Sequence, residues 1–201
     1  MSGTFPTSPN FRALAFQDNR PTLINQTLSG KRQVRQIGGQ YFTFTVSMPL
    51  MEQLEAQAIF AFLQKQKGMF ETFLIGYPLN NKGTSHSESD ILVVGAQSAG
   101  DADIASDGFS HTNNALRAGD LIKFANHSKV YMVTDDITAS VGAASITISP
   151  PLVAAVADNE AITVNKPQFT VYLSTGEISY STDASGFYSI SFEVREVVAV
   201  S

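Results

Sequence analysis

The chain contains no cysteine and no tryptophan, and it is poor in charged residues. Without cysteine it can form no disulfide framework and carry out no thiol chemistry. Charged residues make up 15% of its 201 residues, below the usual share of about a quarter, so we expect Ser, Thr, Asn and Gln to cover much of the surface. The net charge is −5 and no long run of Lys and Arg is present. We therefore expect no nucleic-acid recognition.

Long hydrophobic runs are also missing from the sequence. The N-terminus, Met1–Pro6, lacks a basic region followed by an apolar core, so we expect no signal peptide. We expect the protein to be synthesised in the cytoplasm. Every apolar stretch is far shorter than the roughly 18 residues of a membrane span, so we expect none. The length suits one large domain or two small ones.

Residues 33–75 predict a strand, a helix and a second strand in succession. Phe42, Phe44 and Val46 alternate with polar neighbours, which is the period of two of a half-buried strand. The second strand is predicted at Met69–Ile75. Residues 1–30, which contain three prolines, predict an extended arm with one short strand near Phe11–Phe16.

The helix is predicted over residues 50–67. Pro49 suits the first turn of a helix, and Gly68 suits a left-handed cap at its end. We expect its buried stripe, with spacing typical of a helix, to consist of Leu50, Leu54, Ala58, Ala61 and Phe62, broadened by Met51, Ile59 and Leu63. Four aromatic residues in and after the helix are interpreted as core: Phe60, Phe62, Phe70 and Phe73.

Beyond a polar linker at residues 82–90 the pattern changes to short apolar runs separated by Gly, Asp, Asn or Ser. Such a pattern is typical of a small barrel or sandwich. The predicted strands are Ile91–Val94, Asp103–Ala105, Leu121–Phe124, Val130–Thr134, Ser145–Ile148 and Ala161–Val164.

The C-terminal part predicts strands like those of residues 33–75. They are Gln168–Leu173, Glu177–Thr182 and Phe187–Val197, with a turn at 183–186. We therefore predict a mainly β protein: a discontinuous β-sandwich of residues 1–80 and 166–201 with one α-helix, and a small β-barrel of residues 81–165 inserted into it.

Acidic residues in one loop raise the question of a calcium site. Asp101 and Asp103 precede Asp107 and a glycine. A calcium loop of the EF-hand type needs glycine at its sixth position and glutamate at its twelfth, where this chain has Ser106 and Thr112. The interpretation is an Asp-rich turn between strands.

The histidines predict no zinc site. His86, His111 and His127 are far apart in the sequence, and none has a ligand-type neighbour at helical spacing. The chain also lacks the Gly-x-Ser-x-Gly motif of a hydrolase and a glycine-rich phosphate loop. We predict no metal and no cofactor.

Four carboxylates are the remaining candidates for catalysis. Asp135 and Asp136, with Glu193 and Glu196, would have to lie across a groove at a defined separation to hydrolyse a glycoside. Adjacent aspartates at the end of a strand are more typical of a turn, so we predict that the protein is not an enzyme.

Three tyrosines are candidates for a partner surface: Tyr41, Tyr172 and Tyr180. The interface residues cannot be named more closely from the sequence. Two glycosylation sequons, at Asn25 and Asn126, carry little weight without a secretory signal.

Several stretches resemble tail proteins of tailed bacteriophages. They are Ser29–Arg35, Gly38–Phe44 with the helix after it, Ala115–Phe124, Tyr131–Thr134, Ile148–Leu152 and Gly186–Glu193. Within that group the predicted architecture is similar to the distal tail protein of siphophages. The resemblance covers most of residues 29–195, and its motifs are structural.

The resemblance implies a structural virion protein. In that family a β-sandwich with a helix forms a hexameric ring at the distal end of the tail, and many members carry a second β domain, in some a barrel of the oligonucleotide/oligosaccharide-binding type. The implied location is the tail tip or baseplate, and the implied partners are the tail-tube protein and hub or fibre proteins.

Two other functions remain open. The barrel could bind a glycan on the host surface as a carbohydrate-binding module, although its only aromatic residues besides histidine are Phe109, Phe124 and Tyr131. A tail-associated hydrolase is the third hypothesis, and no recognisable arrangement of acid, base or nucleophile favours it.

Overall fold

The structure is a computed structural model that describes residues 3–77, 90–182 and 186–198. Within these ranges it is mainly β with a single helix, which confirms the predicted fold class. The predicted linker at 82–90 lies outside these ranges except for Asp90, as does most of the predicted turn at 183–186.

Fourteen strands and one helix follow one another along the described residues. They are β1 (Ala13–Asn19), β2 (Thr22–Gln26), β3 (Arg32–Gln36), β4 (Tyr41–Ser47), α1 (Gln53–Lys65), β5 (Phe73–Gly76), β6 (Leu92–Val93), β7 (Asp103–Asp107), β8 (Leu121–Phe124), β9 (Val130–Val133), β10 (Ala144–Ser149), β11 (Ile162–Thr163), β12 (Gln168–Leu173), β13 (Ser179–Thr182) and β14 (Tyr188–Glu196).

The chain divides into two compact units. The first unit comprises residues up to 73 together with 171–198, and the second comprises residues 74–170. The division into domains at 1–80 with 166–201 and at 81–165 stays a prediction.

One six-stranded sheet has the order β1-β4-β14-β12-β5, with β13 paired to β14 outside this path. In β4, Phe42, Phe44 and Val46 are buried, as the alternation predicts, because successive side chains of a strand point to opposite faces. Strand β14 pairs with β4 so that Val194 lies opposite Phe44, and its own apolar residues are buried on the same principle.

An aromatic cluster in the first unit forms around Phe5, near the N-terminus. The ring of Phe5 lies 5.3 Å from that of Phe192 in β14 and 5.6 Å edge-on from that of Phe62 in α1. Phe73 in β5 packs edge-on against Phe62 at 5.5 Å. These contacts join the helix, the sheet and the N-terminal segment in one core.

The helix is shorter than predicted, since it spans Gln53–Lys65 instead of 50–67. The amide of Met51 donates to the carbonyl of Tyr188, and the amide of Tyr188 donates back. This pairing keeps the residues before the helix extended, so Pro49 does not lie in its first turn. Gly68 has the predicted left-handed backbone, with φ of +64°.

The predicted apolar stripe of the helix is mostly wrong. The buried residues of α1 are Ala56, Ile59 and Leu63, whereas Leu50 is 61% exposed and Leu54 80% exposed. The helix has apolar residues on two opposite sides, and periodicity alone does not tell which side faces the core. Of the four aromatics assigned to the core, Phe60 and Phe62 are half-buried, Phe73 is fully buried and Phe70 is 79% exposed.

The predicted N-terminal arm contains more regular structure than expected. The expected strand near Phe11–Phe16 is β1 at Ala13–Asn19, and β2 and β3 form an additional two-stranded hairpin. The hairpin turns through Thr27, whose carbonyl accepts from the amide of Gly30. Gly30 has a φ of +79°, which suits the left-handed position of such a turn.

The second unit is a nearly closed barrel of six antiparallel strands in the order β11-β8-β9-β10-β7-β6. All six strands lie where the sequence predicts them. The two ends of the sheet meet, because the amide of Val93 donates to the carbonyl of Glu160 and that of Ile162 to Ile91. The oligonucleotide/oligosaccharide-binding type stays a prediction, since that fold has five strands.

Glycine is required at position 108, directly after β7. Gly108 has a φ of +86°, and a Cβ atom there would lie 2.1 Å from the carbonyl oxygen of Asp90. Backbone atoms cannot yield to such a contact as a flexible side chain can. Gly119 has a similar φ of +96°, but a Cβ atom there would meet nothing within 4 Å.

We expect Gly108→Ala to destabilise the protein by about 3 kcal/mol, from about 1 kcal/mol of backbone strain and the rest from the clash. The matched control, Gly119→Ala, keeps the strain without the clash and costs about 1 kcal/mol. Urea unfolding of both variants measures the difference. Equal losses would contradict the close approach at Asp90.

Candidate assembly surface

Of the predicted Asp-rich turn, only Asp101 lies in a turn, because Asp103 and Asp107 are the first and last residues of β7. The Oδ2 atom of Asp101 accepts a hydrogen bond of 2.7 Å from the amide of Ser98. Asp120 makes the same contact with the amide of Arg117, at 2.9 Å, before β8. These carboxylates bind backbone amides of their own turns. Among the described residues, no group of three or more His, Cys, Asp or Glu side chains could hold a metal ion.

Three of the four carboxylates considered for catalysis accept hydrogen bonds within the chain. Asp136 accepts from the amide of Ala118, and Asp135 accepts from the hydroxyl of Thr134. Glu196 is buried and accepts from a backbone amide of β4. Glu193 is exposed and, three residues earlier in the same strand, lies on the opposite face from Glu196.

His127 takes part in a buried hydrogen-bond network of the second unit. Its Nδ1 atom lies 2.8 Å from the hydroxyl of Tyr131, and that hydroxyl accepts from the amide of Val153. We infer that Tyr131 donates to a neutral His127, because its single hydroxyl hydrogen is then used and its oxygen stays an acceptor. His86, in contrast, lies outside the described residues, and His111 is half-buried.

Burial lowers the pKa of His127 below its ordinary value of 6.5, although the carbonyl of Ala155 and the charge of Glu160 act in the opposite direction. Removal from water costs a charged imidazole more free energy than a neutral one. The histidine therefore stabilises the barrel in its neutral form.

The three aromatic residues of the barrel are core residues. Phe124 and Tyr131 are fully buried, and Phe109 is 7% exposed. Their rings pack against one another or against the barrel core, so none presents a face to a sugar.

The three tyrosines proposed for a partner surface differ in exposure. The guanidinium of Arg195 stacks 3.5 Å from the ring centre of Tyr41, so one face of that ring is covered. Tyr172 is half-buried, next to Arg195 in the register. Tyr180 is 53% exposed and lies 4.9 Å from the ring of Phe60, in an aromatic recess beside α1.

The β2–β3 hairpin is an exposed apolar surface of the first unit. All ten residues of its two strands are exposed, and among the described strands these two pair only with each other. Leu23 and Ile24 are 59% and 58% exposed, and Val34 is 51% exposed. Ile24 lies opposite Val34, so the two form an apolar pair on one face.

The hairpin also differs from the rest of the chain in charge. Lys31, Arg32 and Arg35 give it a charge of +3, and it contains no acidic residue. The remaining residues contain 18 acidic and 10 basic side chains, a balance of −8. The hairpin is therefore a basic, apolar projection on an acidic protein.

The sequence interpretation missed this hairpin because it treated residues 33–46 as one strand. The signal for it was present: Ser29-Gly30 separates two stretches rich in strand-forming residues. No helix in the described parts of the chain is both long and apolar enough to span a membrane.

Comparison with known proteins finds similarity to a structural protein of a phage tail. Residues 87–169, which include all six barrel strands, match the family model described as distal tail protein pb9, B domain. The chain is similar to distal tail protein pb9 of Escherichia phage T5, with 26% identity over 201 residues that cover 94% of this chain and 96% of that protein. The two matches confirm the resemblance to distal tail proteins of siphophages and support a structural role in a phage tail.

The network around His127 predicts a pH-dependent stability. Because the pKa of His127 is lower in the folded chain than in the unfolded one, the unfolded chain binds a proton first as the pH falls. The contribution of His127 is present above about pH 6.5 and is lost as the pH falls below that value. We expect the free energy of unfolding to be lower at pH 5.5 than at pH 7.5.

The variant His127→Asn removes the titrating group, so its stability should change less between these two pH values. The control His111→Gln leaves the network intact and should keep the pH dependence of the original chain. Urea unfolding at both pH values distinguishes the two variants. The same pH dependence in all three proteins would contradict the assignment to His127.

Proposed function

We propose that this chain is a structural virion protein that forms a hexameric ring at the distal end of a phage tail. The ring joins the tail tube to the tail-tip apparatus that adsorbs to the host. The similarity to distal tail protein pb9 along nearly the whole chain supports the location. The main structural support for the ring is the exposed β2–β3 hairpin, because no described part of the chain covers its apolar residues.

The physical argument for a partner starts from the instability of isolated hairpins. A two-stranded hairpin in water is marginally stable at best, and a third strand or a packed surface is needed to hold it. This hairpin nevertheless exposes Leu23, Ile24 and Val34. Covering their side chains would remove apolar surface from water and hold the strands together.

The chemistry of the hairpin favours a second copy of the same chain as its partner. Its charge of +3 complements the balance of −8 on the remaining residues, and complementary charges steer two copies together. A contact between two unlike surfaces of identical chains is heterologous, and it closes into a ring when the rotation between neighbours divides a full turn. Six copies give the ring proposed here.

A ring at this position has partners on both sides. We propose the tail-tube protein on one side and hub or fibre proteins on the other, in agreement with the resemblance to distal tail proteins. The role is one of assembly, without catalysis or cofactor. The three buried aromatics of the barrel do not favour the alternative of a carbohydrate-binding module.

The ring predicts the mass of the purified protein. Six copies of a 21.6 kDa chain give about 130 kDa, and light scattering at increasing protein concentration should reach this mass. A protein that stays monomeric up to its solubility limit, or that forms a two-fold dimer, would contradict the proposal.

The double variant Ile24→Thr with Val34→Thr should weaken the ring without unfolding the chain. Threonine keeps the branched shape that strands favour, while the loss of apolar area costs the contact about 2 kcal/mol, roughly thirtyfold in dissociation constant. Because both residues are exposed, the free energy of unfolding should change by less than about 0.5 kcal/mol each.

The matched control is Val94→Thr, since Val94 is a half-exposed valine of the second unit. Its mass by light scattering should equal that of the original chain. If the hairpin variant assembles as well as this control, the hairpin is not the contact.

A further inference from the structure

Helix α1 carries an apolar stripe that nothing in the described chain covers. Leu54 is 80% exposed, and Ala58 and Ala61 are exposed as well. Leu50, in the extended segment before the helix, is 61% exposed. Within the helix, Leu54, Ala58 and Ala61 follow the spacing of one face, at about 100° per residue. The residues that bury the helix, Ala56, Ile59 and Leu63, lie on the opposite side.

The two faces of α1 differ in their environment: one packs on the sheet and the other is exposed. Burial of Ile59 and Leu63 fixes the helix on the sheet of the first unit, so the exposed stripe adds nothing to the packing of the single chain. Leu54 and, just before the helix, Leu50 are large apolar residues exposed near polar side chains, as at many interaction sites. The name helix stripe is used below for Leu50, Leu54, Ala58 and Ala61.

The charge beside the helix stripe is opposite to that of the hairpin. Glu52 and Glu55 are exposed and lie at the N-terminal end of the helix, next to Leu50 and Leu54. In the hairpin, Arg32 lies two residues before Val34 in β3, on the face that carries Ile24 and Val34, whereas Arg35 lies opposite Leu23 on the other face. An apolar stripe with acidic neighbours thus corresponds to an apolar hairpin with basic neighbours.

We propose that the helix stripe of one copy receives the β2–β3 hairpin of the next copy. The inference rests on the proposed ring and names its two contact surfaces. Ile24 and Val34 of the hairpin pack on Leu50 and Leu54 of the neighbour, while Arg32, on the same face of the hairpin, approaches the glutamates. The two surfaces are unlike each other and belong to the same chain, as a head-to-tail contact requires.

The absence of cysteine allows a direct cross-linking test. Two single-cysteine proteins are prepared, Gln26→Cys in the hairpin and Ala58→Cys in the helix stripe; both positions are exposed and both changes spare the large apolar residues. They are mixed under assembling conditions, treated with a short flexible bismaleimide and analysed by mass spectrometry for a cross-link between positions 26 and 58 of two chains.

The control pairs Gln26→Cys with Ala99→Cys, an exposed alanine of the second unit. We expect cross-linked dimers between 26 and 58 well above the level of this control. If light scattering shows the hexamer but the two pairs cross-link equally, the helix stripe is not the receiving surface, although the ring stands. If the protein stays monomeric, both the ring and this contact are contradicted.

A charge exchange gives a second readout of the same contact. Glu55→Lys and Arg32→Glu should each weaken assembly, because each places like charges opposite each other. The chain that carries both changes should recover assembly. A control chain that carries the arginine change together with Glu177→Lys, at an exposed glutamate, should not recover it. Failure of the double exchange to recover assembly would overturn the proposed pairing of these two surfaces.

Discussion

The pairing of β4 with β14 is the constraint on which the first unit depends. It joins residues 43–47 to residues 191–195, so the sheet cannot form until both ends of the chain are present. The same strand, β14, also pairs with β12 and β13 and with the backbone of Met51. Bringing together such distant segments costs loop-closure entropy, which the aromatic cluster around Phe5 and the buried face of β4 offset.

The sequence predicts the elements of this fold better than it predicts their surfaces. The six barrel strands follow from short apolar runs between turn residues, because local chemistry decides where such strands stop. The predicted start of the helix is wrong because the backbone pairing between Met51 and Tyr188 is a long-range contact. The stripe containing Leu54 was assigned to the core because a helix with two apolar sides gives no local sign of which side is buried.

The same difference between local and long-range information decides which features of the candidate surfaces can be predicted from the sequence. Turn-forming aspartates such as Asp101 could be separated from metal ligands by their sequence positions alone. The hairpin could not be recognised as a projection, because its exposure follows from what the rest of the chain fails to cover. The apolar, basic hairpin and the apolar helix stripe with its glutamates are in this view two halves of one contact, and the assembly proposed here depends on their being unlike each other.

The most direct test of this account is electron cryomicroscopy of virions in which the protein carries a small tag after its last residue. The account predicts tag density in six copies around the distal end of the tail tube. Tag density along the tail tube, at the head or in a number of copies that does not fit a six-fold ring would contradict it.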